Sequence, residues 1–183
     1  MSELSNLRLM AQYNQWMNET LYTAAEGISD DQLNAEQGAF FGSIIGTFNH
    51  LLVGDIIWLK RFATHPADFP SLSNLHHIDQ PQGLDQVLYN DLNELRMERE
   101  LLDQLIIDWC DELTAEQLEQ PLHYSNTKGV EAVRPLGLLL LHLFNHQTHH
   151  RGQLTTLLSQ QGIDVGITDL LMLIPEYELD GTG

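Results

Sequence analysis

The sequence predicts an all-α fold, a four-helix bundle with a crossover connection, and three observations carry that expectation. Apolar residues recur at helical spacing in four long segments. A turn-rich stretch of roughly 20 residues separates the second segment from the third, and no apolar run approaches the ~18 residues of a membrane span. The length of 183 residues and the hydrophobic fraction of 43% suit a single domain over 1–183, with a short tail from about residue 176.

The elements follow in order. Leu4, Leu7, Ala11, Leu21 and Ala25 form a stripe that predicts a helix over about 3–26, stopped by Gly27. Asn14 and Asn18 fall at the centre of that stripe, where buried polar groups need partners. Ser43 fits the N-cap of a second helix running to about Ala63, which THPADFP ends. Leu88, Leu92, Leu95, Leu102, Ile106 and Trp109 mark a third helix over about 82–111, acidic on its outer face. Thr114 and Gln117 have capping-box form, and LHYSNTKGVEAV reads as a short hairpin or an irregular excursion. Pro135 opens a fourth helix that runs to about Gln161 and stops at Gly162; the remaining tail holds at most one short helix.

Charge and cysteine usage narrow the function. Eight Lys and Arg stand against 26 Asp and Glu, a formal net charge of −18, which repels nucleic-acid backbones and anionic bilayers. Neither nucleic acid nor a membrane is therefore an expected partner, and the histidine constellation makes a small-molecule substrate the expected one. Cys110, the single cysteine, excludes a disulfide framework and a Cys-based zinc site; beside Trp109 it reads as a small buried hydrophobe. The first residues lack the basic and apolar pattern of a secretory signal, so a cytoplasmic location is expected.

Four of the nine histidines lie within LHLFNHQTHH: His142, His146, His149 and His150. Residues four apart differ by about 40° around a helix, so His146 and His150 can aim two imidazole nitrogens at one ion. Such pairs are common without metal, and here the context adds support. Leu139, Leu143, His146, His150, Gln153 and Leu157 share a face, which points the histidines inward. The alternative is a pair of core histidines hydrogen-bonded to Asn14, Asn18 or water. A third ligand would be His50, mid-helix between Gly46 and Gly54, since two glycines inside a helix suggest space kept clear. Close helix packing would explain the glycines equally.

Three histidines without an acidic ligand suit zinc or nickel with an open position. Gln147 after His146 excludes an HExxH glutamate base. Asn14, Asn18 and Gln153 are candidate lining residues of a polar cavity at the site. His142 and His149 read as flanking or surface residues, and His65, His76, His77 and His123 as solvated. Arg151 points about 140° from His146 and reads as a surface or interface cation. Asp55 lies off the His50 face and is a poor general base.

YNQWMN (Tyr13 to Asn18), HLLVGDIIWLKR with His50 and Trp58, and HQTHHRGQL (His146 to Leu154) followed by Gln161 and Gly162 together resemble the DinB/YfiT-like family of small bacterial four-helix-bundle proteins. The resemblance spans nearly the whole chain. It implies an up-down-down-up bundle, a divalent metal held by His50, His146 and His150, and a homodimer. Relatives of known activity include thiol-dependent isomerases and S-transferases that use low-molecular-weight thiols. The leading expectation is accordingly a metal-dependent enzyme, a thiol S-transferase or isomerase or a hydrolase, with a thiol as a candidate cosubstrate. The rival is a non-catalytic, stress-related metal-binding protein with a structural site.

Overall fold

The computed structural model describes residues 2–176, and the chain is mostly helical. Helix α1 spans Glu3–Ala25, opened by a reciprocal capping box between Ser2 and Ser5. A second capping box, Ser29 with Gln32, starts the one-turn helix α2, Asp30–Asn34. Helix α3, Ile44–Phe62, begins where Ser43 Oγ accepts the Gly46 amide at 3.0 Å. The two glycines inside α3 serve different ends. A Cβ at Gly46 would collide with the Phe41 backbone carbonyl, so the incoming loop lies directly on the helix there. A Cβ at Gly54 would sit 2.9 Å from His146 Cε1, so that glycine clears room for a histidine ring.

Helix α4, Leu92–Glu112, starts ten residues later than the apolar stripe suggests. Asp91 Oδ1 caps it by accepting the Asn93 and Glu94 amides. The preceding segment is bound instead by Asn49 of α3. Its Oδ1 accepts the Leu88 and Tyr89 amides at 2.6 and 3.1 Å, and its Nδ2 donates to the Tyr89 carbonyl at 2.8 Å. Leu88 therefore packs on the core from a loop, not from a helix.

Helix α5 (Ala115–Glu119) leads into an antiparallel hairpin, β1 (Pro121–Ser125) with β2 (Glu131–Pro135), which pairs Leu122 with Arg134 and Tyr124 with Ala132. Asn126 Oδ1 closes the turn by accepting the Lys128 and Val130 amides. Helix α6, Leu136–Gln160, follows directly and ends at Gly162, whose φ of +78° needs a residue without Cβ. Short 3-10 segments cover Pro70–His77 and Leu170–Leu173. Most of the expected tail lies outside the described residues.

The four long helices pack pairwise, α1 against α4 and α6, and α3 against α4 and α6. Leu21, Leu52, Leu95 and Leu143, one from each, are fully buried in the shared core. No described helix is long and apolar enough to cross a membrane.

Candidate metal centre

His50 projects from the middle of α3, while His146 and His150 lie one turn apart on α6. Packing of α3 on α6 brings the three together. His50 Nε2 lies 3.2 Å from His146 Nε2 and 3.1 Å from His150 Nε2. One ligand nitrogen from each ring falls within 4.8 Å of the others, a donor set that could hold a divalent metal.

The outer nitrogens decide which atoms carry protons. His50 Nδ1 lies 2.7 Å from the Leu84 carbonyl, which can only accept, so this nitrogen donates. His150 Nδ1 donates to Gln153 Oε1 at 2.8 Å. With protons on both Nδ1 atoms, the neutral rings point bare Nε2 lone pairs at each other across 3.1 Å. Burial keeps the rings neutral: it pushes His50 down to about 4 and His146 to about 3, from 6.5. The Leu84 hydrogen bond opposes the shift at His50, and neighbouring histidines add to it at His146. His150 is lowered too, chiefly by burial, with the Gln153 contact opposing.

His146 differs from its partners. Its Nδ1 is buried without a hydrogen-bond partner among the described residues. The missing side chain of Gly54 leaves room for the His146 ring, whose Nε2 faces His50 Nε2. Phe41 from the loop before α3 stacks on His50, with centroids 3.6 Å apart and planes 16° apart. His142 and His149 stand outside the triad, exposed; His142 packs edge-on against Trp58, and His149 against His150.

Asn14 and Asn18 do not line this site. Both are buried and donate to Asp103, at 2.9 Å from Asn14 and at 2.9 and 3.0 Å from Asn18. Asp103 belongs to a second buried centre built on Arg99. Arg99 Nη1 donates to Asp55 Oδ2 at 2.6 Å, and Nη2 sits 2.9 Å from Asp103 Oδ1, off the hydrogen-bond line. Gln147 donates to Asp55, and Arg151 donates to Asn14. Arg151 is thus an interior cation, 2% exposed, and not a surface one. The asparagines leave the hydrophobic stripe of α1 because they solvate a buried carboxylate. Gln153 is the one expected lining residue that reaches the triad, as the support of His150. His65, read as solvated, is 3% exposed and accepts the Ala67 amide. His76, His77 and His123 are exposed. Cys110 is buried, which pushes its thiol up to about 12.

A cavity of about 230 Å³ opens beside the triad. His50, His146 and Gly54 form one wall, Trp58, Arg61 and His142 another, and the hairpin turn residues Asn126 and Thr127 border it. The sequence reading missed Leu84, Asn49, Phe41 and Arg61. Phe41, in the aromatic pair of GAFFGS, and Arg61, three residues after Trp58, left a local trace; Leu84 acts through a backbone carbonyl and Asn49 through contacts distant in sequence.

The family model described as the DinB family matches residues 1–178. Protein DinB of Bacillus subtilis (strain 168) is 25% identical over 158 residues, covering 86% of this chain and 87% of that protein. No solved structure matches the chain. With the family model running through α1, α3 and α6 and across all three converging histidines, the chain belongs to the DinB family.

Proposed function

We propose that the chain is a metal-dependent enzyme of the DinB family whose His50, His146 and His150 hold one zinc or nickel ion. The carrying observation is the pair of bare Nε2 lone pairs facing each other across 3.1 Å with both Nδ1 protons committed elsewhere. Neutral rings in that state repel, and burial disfavours the proton that would otherwise bridge them. The three converging nitrogens would hold a divalent cation, and the short His50–His146 and His50–His150 separations of 3.2 and 3.1 Å suit such a donor set. Held by these imidazoles, such an ion would supply Lewis acidity to a thiol, a carbonyl or water.

The chain's own residues supply the rest. Leu84 and Gln153 keep His50 and His150 in the ligating tautomer. Phe41 shields one face of His50 from water, and the cavity beside Gly54 admits a small substrate. We read the reaction as a thiol S-transfer or isomerisation, with a low-molecular-weight thiol as cosubstrate, or a hydrolysis. The helix pairing supports an up-down-down-up four-helix bundle within one domain, and a homodimer in the cytoplasm completes the reading.

Elemental analysis tests it. Purified protein should carry close to one zinc or nickel per chain, and His146→Ala should lower that content sharply. Full occupancy in a variant lacking all three histidines overturns the assignment. A cobalt-substituted protein should change its spectrum with imidazole or a small thiol; a spectrum indifferent to both favours a structural, non-catalytic site.

A further inference from the structure

A chain with eight Lys and Arg against 26 Asp and Glu has acid to spare for every cation. Four of the eight are satisfied inside the protein. Arg8 pairs with Asp111, Arg96 with Glu26 and Glu100, and Arg99 with Asp55 and Asp103, while Arg151 joins the buried network through Asn14. Lys60, Arg61, Lys128 and Arg134 have no acidic partner among the described residues. Lys60, Arg61 and Arg134 line cavities on the histidine side, and Lys128 lies in the hairpin turn that borders them. Arg61 lines the cavity that holds His50 and His146. Lys60 and Arg61 line an adjoining cavity of about 660 Å³ under the hairpin, which shares Ile57, Asn126 and Thr127 with the first. Arg134 lines a third, about 350 Å³, with Trp58 and His142. Lys128 follows Thr127 in the hairpin turn.

Arg61 is held in place without a counter-charge. Its guanidinium carbon lies 4.7 Å from the Trp58 ring centre and 5.3 Å from that of Tyr124. Burial lowers its pKa, and no carboxylate offsets that cost. Lys60 and Arg61 do suit the C-terminal dipole of α3, but Lys128 and Arg134 lie on the hairpin, so the helix end does not explain the cluster. Glu131 is the one carboxylate among the residues lining the 660 Å³ cavity, and it forms an ion pair with neither Lys60 nor Arg61.

We propose that Arg61, with Lys60 beside it, forms an anion subsite next to the histidines, taking the carboxylate or phosphate of a small acidic ligand whose other end reaches His50 and His146. The proposal deepens the reading of the triad as a substrate site, yet the subsite itself needs no metal. A planar guanidinium steadied by two rings is preorganised for a two-oxygen anion. The surrounding negative charge confines anion binding to this one side of the molecule.

Titration calorimetry and tryptophan fluorescence, with Trp58 as the local reporter, test it on as-purified and chelator-treated protein. The probes are succinate and inorganic phosphate, with succinamide as the neutral control. Either anion should bind saturably in both preparations and weaken with salt, and succinamide should not bind. The tighter of the two identifies the group as carboxylate or phosphate. Arg61→Gln should weaken binding about tenfold or more, while Arg8→Gln leaves it unchanged. If Arg61→Gln does not fold by circular dichroism, Lys60→Gln serves in its place and should weaken succinate or phosphate binding. Absence of saturable binding, equal binding of succinamide, or indifference to these substitutions overturns the subsite. Chelation keeps the two readings apart: stripping the metal should leave phosphate binding intact, and Arg61→Gln should lose phosphate binding at unchanged metal content.

Discussion

Gly54 and His146 show at the scale of single residues how the centre is set. His146 is the triad member whose outer nitrogen no hydrogen bond fixes, so the room that Gly54 leaves beside its ring helps to place it. Gly54→Ala would set a methyl 2.9 Å from His146 Cε1. Helix propensity favours alanine by ~1 kcal/mol, so the fold should tolerate the change while the ring moves aside. We expect metal content to fall severalfold with little change in melting temperature; unchanged metal content would contradict the contact's role. The same burial makes the metal-free protein acid-sensitive. Folded-state values of about 4 for His50 and about 3 for His146 lie below the unfolded 6.5, so the unfolded chain binds more protons between those limits. Stability is therefore full above pH 6.5 and declines as pH falls toward 3. Chelator-treated protein should melt progressively lower from pH 7 to pH 5. A His50→Gln, His146→Gln double variant should show a shallower decline, and equal slopes would remove the histidines as the cause.

Among the elements, Asn49 links the helix that carries His50 to the segment that orients it. Its side chain binds the Leu88 amide and both the amide and carbonyl of Tyr89, which anchors the chain a few residues beyond the Leu84 carbonyl that receives His50 Nδ1. Asn49→Ala should cost about 1–3 kcal/mol through unpaired buried backbone groups. It should also raise hydrogen exchange at Leu88 and Tyr89 and weaken metal binding; protection equal to wild type would show that the segment holds itself. This link explains what the sequence could and could not show. The starts of α1 and α3, the capping box of α5 and the stop at Gly162 depend on neighbours in sequence, so local pattern located them. Asp91 caps α4 locally, but what holds Leu88 and Tyr89 outside the helix is a side chain some 40 residues away, and the stripe from Leu88 onward could not reveal that. The histidine triad was legible because His146 and His150 are spaced for one helix face and His50 stands beside a glycine. The destination of Asn14 and Asn18 was not, since their partner Asp103 lies in a helix whose polar positions all look alike in sequence.

For the molecule as a whole, the Arg99 centre joins all four long helices: Asn14 and Asn18 from α1, Asp55 from α3, Arg99 and Asp103 from α4, Gln147 and Arg151 from α6. It is nearly dry, with Arg99 and Asp103 each 2% exposed and Asp55 fully buried. Burial pushes Asp103 above the usual carboxylate range, and Arg99 and Asn18 oppose that. Such a network adds little net stability over a well-packed apolar core, because desolvation consumes most of the Coulombic gain. Removing one member has a much larger effect, because the others stay buried without a partner. Arg99→Met should therefore lose about 3–5 kcal/mol in urea unfolding. Arg96→Met, which breaks the exposed pairs with Glu26 and Glu100 on the same helix, should lose about 1 kcal/mol or less. The two arginines lie three residues apart in a chain whose net charge of −18 treats them alike, so the comparison isolates burial from overall charge. Equal losses would mean that long-range attraction to the acidic surface, not the buried contacts, accounts for what Arg99 contributes.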